Sequence, residues 1–351
     1  MQSSDIDRWC RRADQPYLRS HGGAVAAFIS GGSVDYREFG RLSRDNASKP
    51  DAHTIFEIGS ITKVFTSILL CKLALENMVE VDEPVSRALP GFERLPNWIT
   101  PRALATHTSG LPRIPDGITI SDMSNPYREI GEDDLREWVN ARKSFAAATP
   151  AKMAYSNLGV GLLGLALGKA DGRGYREALL ENILRPLGLG DTDTIVPEGK
   201  LSRGAQPHGS FGRKVPIWDF DALAGCGALK STVADLALFS QAVISAAKGK
   251  EGPLFQAIRN SLTIQIPGSK PFVPDVCFGW LRLKDRETGI GIYHHDGGTG
   301  GSSSSLFICP DKDFAILALA NTKSGIFTAF RQILADPAGM LGEIVAVKPA
   351  S

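Results

Sequence analysis

The order of the predicted elements restricts the fold most, because strand patterns lie near both ends of the chain and helical patterns lie between them. Two early strands, 23–30 and 33–41, are joined by the Gly31-Gly32 turn. Further strands are predicted at 54–58, 276–283, 291–295, 303–309 and 314–320. Helical periodicity is found at 60–77, 132–143, 157–170, 174–184 and 232–247, with flanking helices at 4–19 and about 325–342.

This order predicts an α/β (α+β) fold in which one antiparallel sheet is assembled from both termini and flanked by the N- and C-terminal helices. The mainly helical middle of the chain would then be inserted between the halves of the sheet. We expect a single domain with two lobes, an α/β lobe of about 1–80 and 250–351 and a helical lobe of about 81–249. A cleft between the two lobes is the expected place for an active site.

Composition excludes several classes of protein. The 351 residues include 39 Lys+Arg and 38 Asp+Glu, and a net charge of +1 gives no reason to expect nucleic acid as a partner. The five cysteines are scattered without a CxxC pair, so they are interpreted as small buried thiols. No apolar stretch is long enough for a membrane span, and residues 1–21 lack a secretory signal. A cytoplasmic location is therefore expected, or a periplasmic one if a signal has been removed.

Ser60-Ile61-Thr62-Lys63 is the first pattern that carries chemistry. A helix that starts there places a hydroxyl and an amine three residues apart on one face. Serine needs a neighbouring base to act as a nucleophile, and a buried lysine can serve once it has lost its proton. The alternative is a serine that caps the helix beside a solvated lysine, and the spacing alone does not separate the two interpretations.

Tyr155-Ser156-Asn157, at the start of the helix at 157–170, is the second pattern. A phenol near a lysine ammonium can exchange protons, so Tyr155 could take the Ser60 proton and return it to a leaving group. Asn157 could hold a substrate carbonyl or orient Lys63. The alternative is a buried tyrosine with one hydrogen-bond partner and an asparagine that caps the helix.

The third pattern is the run 294–302, His-His-Asp-Gly-Gly-Thr-Gly-Gly-Ser, between two predicted strands. Its glycines let the backbone approach a ligand, and the Gly298 N–H could complete an oxyanion hole begun by the Ser60 N–H. Adjacent strand residues point to opposite faces, so His294 and His295 are not expected to share a metal ion. A hairpin turn is the structural alternative.

The glycines of Gly159-Val160-Gly161-Leu162-Leu163-Gly164 lack the preceding strand of a dinucleotide site and are interpreted as helix-packing positions.

Together the three patterns resemble one family, the serine β-lactamase-like proteins: class C β-lactamases, D-alanyl-D-alanine carboxypeptidases and β-lactamase-like esterases. That family carries S-x-x-K, then Y-x-N, then a K-T-G or H-x-G strand, in the order found here. The segments 104–112, 224–236 and 278–280 are also similar to family segments, and the resemblance covers about 20–325.

The resemblance implies that Ser60 is the nucleophile and that Lys63 and Tyr155 share the proton transfers, with the base left open between them. It further implies a substrate-binding set of Asn157, His295, Gly297 and Gly298, with the oxyanion held by the N–H groups of Ser60 and Gly298. No metal and no cofactor are expected. His295 stands where β-lactamases carry lysine, and a neutral side chain there argues against efficient β-lactam hydrolysis.

The resulting hypothesis is a serine hydrolase that cleaves a small-molecule ester or amide, with a β-lactam or a D-amino acid peptide among the candidates, through an acyl-enzyme on Ser60. The alternatives are an acyltransferase that passes the acyl group to an amine or alcohol, and an acyl-binding sensor that does not turn over. The natural acyl group and the oligomeric state are left open.

Overall fold

The structure is a computed structural model that describes residues 22–146, 152–269, 273–284 and 289–323. The predicted helices at 4–19 and 325–342 lie outside these residues. The strands within them are β1 (Gly23–Ser30), β2 (Ser33–Gly40), β3 (Phe56–Glu57), β4 (Lys230–Ser231), β5 (Asp275–Val276), β6 (Leu281–Lys284), β7 (Gly291–Gly298), β8 (Ser303–Cys309) and β9 (Phe314–Ala320).

A seven-stranded antiparallel sheet organises the chain, with the order β2-β1-β9-β8-β7-β6-β5. Strand β1 pairs with β9, from Ala24 opposite Ala320 to Ser30 opposite Phe314, so the sheet joins the two ends of the chain as predicted. Strand β1 is apolar along nearly its whole length and is buried in the sheet, whereas β2 carries exposed polar residues and forms an edge. Strands β3 and β4 pair separately.

The middle of the chain is mainly helical, as predicted. The helices are α1 (Thr62–Leu75), α2 (Pro101–Ala105), α3 (Glu132–Ala141), α4 (Asn157–Asp171), α5 (Tyr175–Leu179), α6 (Val233–Ala247) and α7 (Pro253–Ser261), and α5 continues as a π-helical turn, Leu180–Leu184. Short 3₁₀ turns lie at Gly59–Ile61, Val85–Ala88, Glu198–Arg203, Ser210–Gly212, Ala224–Cys226 and Pro310–Lys312. None of the helices among the described residues is both long and apolar enough to cross a bilayer.

Helix α1 lies at the centre of the core. Its residues Val64, Phe65, Ile68 and Leu69 are fully buried, and it contacts α4 and α7. Helix α6 packs against strands β1, β8 and β9. The first turn of α1 is therefore held between the sheet and the helices, which fixes the position of any side chain at its start.

Several elements differ from the sequence prediction. The strand predicted at 276–283 is two strands, β5 and β6, because the chain turns at Gly279, whose φ is +73° and whose backbone packs against Lys63 O. Helix α7 was not predicted, although Gly252-Pro253 precedes it and the buried Ala257 and Ile258 lie on one face. The boundaries of the two predicted lobes stay a prediction.

Candidate active site

Ser60 lies in the tight turn that joins β3 to α1. Gly59 precedes it with φ +48°, a conformation that favours glycine, and the Ile61 N–H donates to Ile58 O at 3.2 Å. Ser60 is half-buried, and it stands in the first turn of a helical segment, where backbone N–H groups lack intrahelical acceptors. The turn thus presents both a hydroxyl and backbone donors at the surface of the core.

Lys63 is fully buried and reaches back to the serine. Its Nζ lies 2.9 Å from Ser60 Oγ and donates to Cys226 O at 2.5 Å. The Cys226 carbonyl can come this close because α4 carries Gly164 where the chain passes: a Cβ on Gly164 would lie 2.7 Å from Gly225 Cα. The packing role predicted for the α4 glycines is therefore confirmed. In the part of the chain that the structure describes, the Lys63 amine contacts two uncharged oxygens and makes no ion pair.

Tyr155 lies in the loop before α4, beside Lys63. Its ring centroid lies 4.9 Å from Lys63 Nζ and 4.5 Å from the centroid of His107. His107 fixes this loop, because its Nδ1 accepts from the Ser156 N–H at 3.1 Å and its carbonyl accepts from the Ala154 N–H at 2.8 Å. Burial and the charge of Lys63 hold the pKa of His107 well below its usual range, so this acceptor nitrogen stays unprotonated at neutral pH. Within the described residues, the Tyr155 hydroxyl makes no hydrogen bond.

Asn157 is buried at the start of α4, yet it does not cap the helix. Ser156 is the cap, since its Oγ accepts from the Gly159 N–H at 2.8 Å, so the alternative of an asparagine cap is wrong. Asn157 Nδ2 donates to the Tyr127 hydroxyl at 2.7 Å. Its Oδ1 has no hydrogen-bond partner within the described residues, which leaves one acceptor available to a substrate N–H.

Gly297 and Gly298 form the end of β7 that packs on the serine turn. A Cβ on Gly297 would lie 2.0 Å from Ile58 O, and one on Gly59 would lie 2.6 Å from Gly298 N, so the two backbones touch. The Thr299 N–H donates to Ser302 O, which makes Gly298 and Ser303 a non-hydrogen-bonded pair. The Gly298 N–H therefore points away from β8, and Gly298 is exposed at this edge.

The two histidines of β7 contact different partners. The His294 ring stacks on Phe307 with a centroid distance of 5.4 Å, whereas the His295 ring lies 6.4 Å from that of Tyr155. Burial lowers the pKa of His295 to about 3, with the Lys63 charge adding to the effect, so His295 is neutral at pH 7. Its Nδ1 lies 2.7 Å from Asp296 O and, as the N–H donor in that bond, leaves Nε2 as an acceptor.

A cation that the sequence analysis missed lies beside Tyr155. The Arg113 guanidinium carbon is 5.1 Å from the Tyr155 ring centroid, and the side chain is exposed. Its carbonyl accepts from the N–H groups of Asn157 and Leu158 at 2.9 and 3.1 Å, which anchors Arg113 to the start of α4. Within the described residues it has no carboxylate partner. The Leu111-Pro112-Arg113 sequence gives no signal for this contact, because 42 residues separate Arg113 from Tyr155.

Among the described residues there is no cluster of three or more His, Cys, Asp and Glu side chains that could hold a metal ion. Cys226, whose carbonyl accepts from Lys63 Nζ, is a free thiol, and burial raises its pKa to about 11. Its carbonyl, and not its sulfur, contacts the site.

An antiparallel sheet with a serine hydroxyl 2.9 Å from a buried lysine amine is the arrangement expected of serine hydrolases in which a lysine assists the serine. Residues 11–336 match the family model described as Beta-lactamase. The chain belongs to this family and is a serine hydrolase, as the resemblance of its motifs implied.

Curated relatives extend over nearly the whole chain. D-alanyl-D-alanine-carboxypeptidase/endopeptidase AmpH of Escherichia coli (strain K12) is 28% identical over 369 residues, which cover 99% of this chain and 90% of that protein. Penicillin-binding protein 4 of Amycolatopsis lactamdurans is 27% identical and covers 99% of this chain and 94% of its own length. The solved beta-lactamase from Sulfitobacter sp. EE-36 superposes with a TM-score of 0.81 at 20% identity over 98% of this chain and 99% of that one, a likeness of fold.

Proposed function

We propose that this serine hydrolase cleaves small esters or amides, with β-lactams and D-amino acid peptides as candidate substrates, through an acyl-enzyme on Ser60. The observation that carries the proposal is the contact of 2.9 Å between Ser60 Oγ and the buried Lys63 Nζ. It joins a nucleophile to a group that can take its proton. Two relatives, named as a D-alanyl-D-alanine-carboxypeptidase/endopeptidase and a penicillin-binding protein, support these candidate substrates.

Acylation forms the bond between Ser60 Oγ and the substrate carbonyl carbon and breaks the bond to the leaving group. The Ser60 proton passes through Lys63 and Tyr155 to the leaving atom, and the oxyanion lies near the N–H groups of Ser60 and Gly298. Water then attacks the acyl carbon, its proton returns by the same side chains to Ser60 Oγ, and the acid is released.

Charge at the site bears on the substrate. His295 is neutral, so it cannot attract a substrate carboxylate as a lysine would. Arg113, 5.1 Å from the Tyr155 ring, is the exposed cation at the site that can bind such a group. An anionic substrate would therefore be bound beside Tyr155, on the side from which the α4 loop approaches.

The test uses a fluorescent fluorophosphonate and a fluorescent penicillin on the wild type and on Ser60→Ala. We expect both probes to label the wild type and neither to label the variant, with Ser67→Ala as the labelled control, because Ser67 carries a buried hydroxyl about two helical turns further along the chain. Equal labelling of wild type and Ser60→Ala would refute the role of Ser60. Turnover of nitrocefin, p-nitrophenyl butyrate, a D-Ala-D-Ala peptide and a D-amino acid amide then ranks the substrates, and a stable adduct with no turnover of any of them would contradict hydrolysis.

A further inference from the structure

A buried carboxylate that the proposed mechanism does not use lies three residues before the serine. Glu57, in β3, is 5% exposed, and both of its oxygens accept hydrogen bonds. Oε1 accepts from the Trp218 N–H at 2.7 Å, while Oε2 accepts from Thr299 Oγ1 at 2.8 Å and from Ser302 Oγ at 2.7 Å. A carboxylate with several donors in a closed site holds those donors firmly, because releasing them would leave a buried charge unpaired.

The groups that bind Glu57 belong to the tip of the β7–β8 hairpin and to the loop that covers it. Thr299 follows Gly298 directly, and Ser302 closes the turn through the hydrogen bond from the Thr299 N–H to Ser302 O. The indole of Trp218 lies on the same tip, since a Cβ on Gly300 would be 2.7 Å from its Nε1. One side chain thus ties the β3 strand to the hairpin residues that flank the Gly298 N–H.

Lys230 supports this carboxylate from the neighbouring strand. It is paired with Glu57 across β3 and β4, so the two side chains share a face, and it is 3% exposed. Its Nζ donates to Thr194 O at 2.8 Å and to Trp218 O at 2.9 Å. Burial raises the pKa of Glu57 and the attraction of Lys230 opposes this, so the lysine favours the charged carboxylate.

The register of the hairpin matters to the chemistry because the serine turn and β7 are in van der Waals contact. The position of a Cβ on Gly59 lies 2.6 Å from Gly298 N, so a small shift of the hairpin tip changes the distance from the Gly298 N–H to the acyl oxygen. Ser304 Oγ also donates to Ile58 O at 2.8 Å, but it binds further along β8, away from the tip. The tip itself is held by the side chain of Glu57 and by the His208 N–H, which donates to Gly301 O at 3.1 Å.

We propose that Glu57 is a positioning residue, whose carboxylate fixes Thr299 and Ser302 and thereby holds the Gly298 N–H against the turn that carries Ser60. This inference rests on the proposed acyl-enzyme at Ser60. Glu57 touches neither substrate nor the reacting atoms; it acts through the backbone of the hairpin tip.

The test compares Glu57→Ala, Glu57→Gln, Ser302→Ala and Thr299→Val with a matched control, Ser303→Ala. Ser303 follows Ser302 as the first residue of β8 and is also buried, but its Oγ donates to Thr322 O and not to Glu57. Misplacing an oxyanion donor costs about 100-fold in rate. We therefore expect kcat for p-nitrophenyl butyrate to fall about 100-fold in Glu57→Ala and about 10-fold in Ser302→Ala and Thr299→Val, with KM changed less than about threefold.

Glu57→Gln should recover most of the activity, because its amide oxygen can accept from the Trp218 N–H while its NH₂ donates to the two hydroxyls, which rotate to accept. The second readout is inhibition by phenylboronic acid, which forms a tetrahedral adduct on a serine and is sensitive to the oxyanion site. We expect its Ki to rise by the same factor as kcat/KM falls. If the role of Glu57 is purely structural, the variants should have a lower melting temperature, but the Ki of the boronate should not rise as kcat/KM falls.

If Ser302→Ala and Thr299→Val behave like Ser303→Ala, or if kcat falls while the boronate Ki stays constant, the positioning role is refuted. Should Glu57→Ala fail to fold, these two hydroxyl variants and Glu57→Gln decide the question. If the wild type is labelled and inactivated through Ser60 but the hairpin variants remain fully active, the positioning role alone is refuted. A wild type in which Ser60 is not acylated overturns the proposed function instead.

Discussion

His294 makes the stability of this protein depend on pH. Its ring is buried against Phe307, and both ring nitrogens lack hydrogen-bond partners within the described residues. Burial lowers its pKa from 6.5 to about 4. Between these two values the unfolded chain binds a proton that the folded chain does not bind, so stability falls as the pH falls through this window.

The magnitude follows from the two pKa values. A shift of this size is worth about 3 kcal/mol when fully expressed, and about 2 kcal/mol of it is lost between pH 7 and pH 5. Replacing His294 by Leu or by Phe removes the titrating group. We therefore expect the difference between the free energies of unfolding at pH 7 and pH 5 to be smaller by about 2 kcal/mol in both variants than in the wild type.

Urea unfolding at pH 7, 6 and 5 measures this difference, and it is insensitive to a change in packing that acts equally at each pH. The control is Ile308→Val, a buried position on β8 that loses a methyl group and no titrating group. The Ile308→Val variant should have a lower free energy of unfolding than the wild type at each pH. The change of that free energy with pH should be the same as in the wild type. The reasoning fails if both His294 variants retain the pH dependence of the wild type.

Two further predictions concern the site. Lys63→Ala and Tyr155→Phe should each lower the turnover of p-nitrophenyl butyrate by at least about 100-fold, the loss expected for a proton-transfer group; wild-type turnover of Tyr155→Phe would restrict that role to Lys63. Arg113→Ala should lower kcat/KM about fivefold for a substrate that carries a carboxylate, because an exposed ion pair is worth up to about 1 kcal/mol, and leave its neutral methyl ester unchanged. Arg128 is a second exposed arginine, so Arg128→Ala is the control. An equal loss of kcat/KM on both substrates in Arg113→Ala would contradict recognition of the substrate carboxylate by Arg113.

The sequence predicted those elements whose pattern is set locally. Strands β8 and β9 have the predicted bounds: β9 is one continuous apolar run, and β8 joins three serines to the apolar run that ends at Cys309. Strand β7 was predicted to end at His295 but continues to Gly298. Glycine has a low intrinsic preference for strands, but the pairing of Gly297 and Gly298 with β8 overrides this preference.

The site was predictable where it depends on motifs and not where it depends on contacts between distant segments. Ser60 and Lys63 are three residues apart, so their contact follows from helix geometry. The carbonyl that binds Lys63 belongs to Cys226, 163 residues away, and only the folded chain shows this contact. Tyr127 is likewise found only in the structure, as the partner of Asn157.

The uncharged surroundings of Lys63 have a consequence for catalysis. Its amine contacts Ser60 Oγ and Cys226 O, whereas the buried carboxylate of Glu57 is bound by Trp218 and the hairpin hydroxyls. Positive charge from Lys63 is thus not cancelled by a direct ion pair within the described residues. Such a site favours negative charge that develops on the substrate, first on the oxyanion and then on the carboxylate product. Because His295 is neutral, Arg113 is a cation beside Tyr155 that would hold a carboxylate product, and removing it would favour product release without touching the nucleophile.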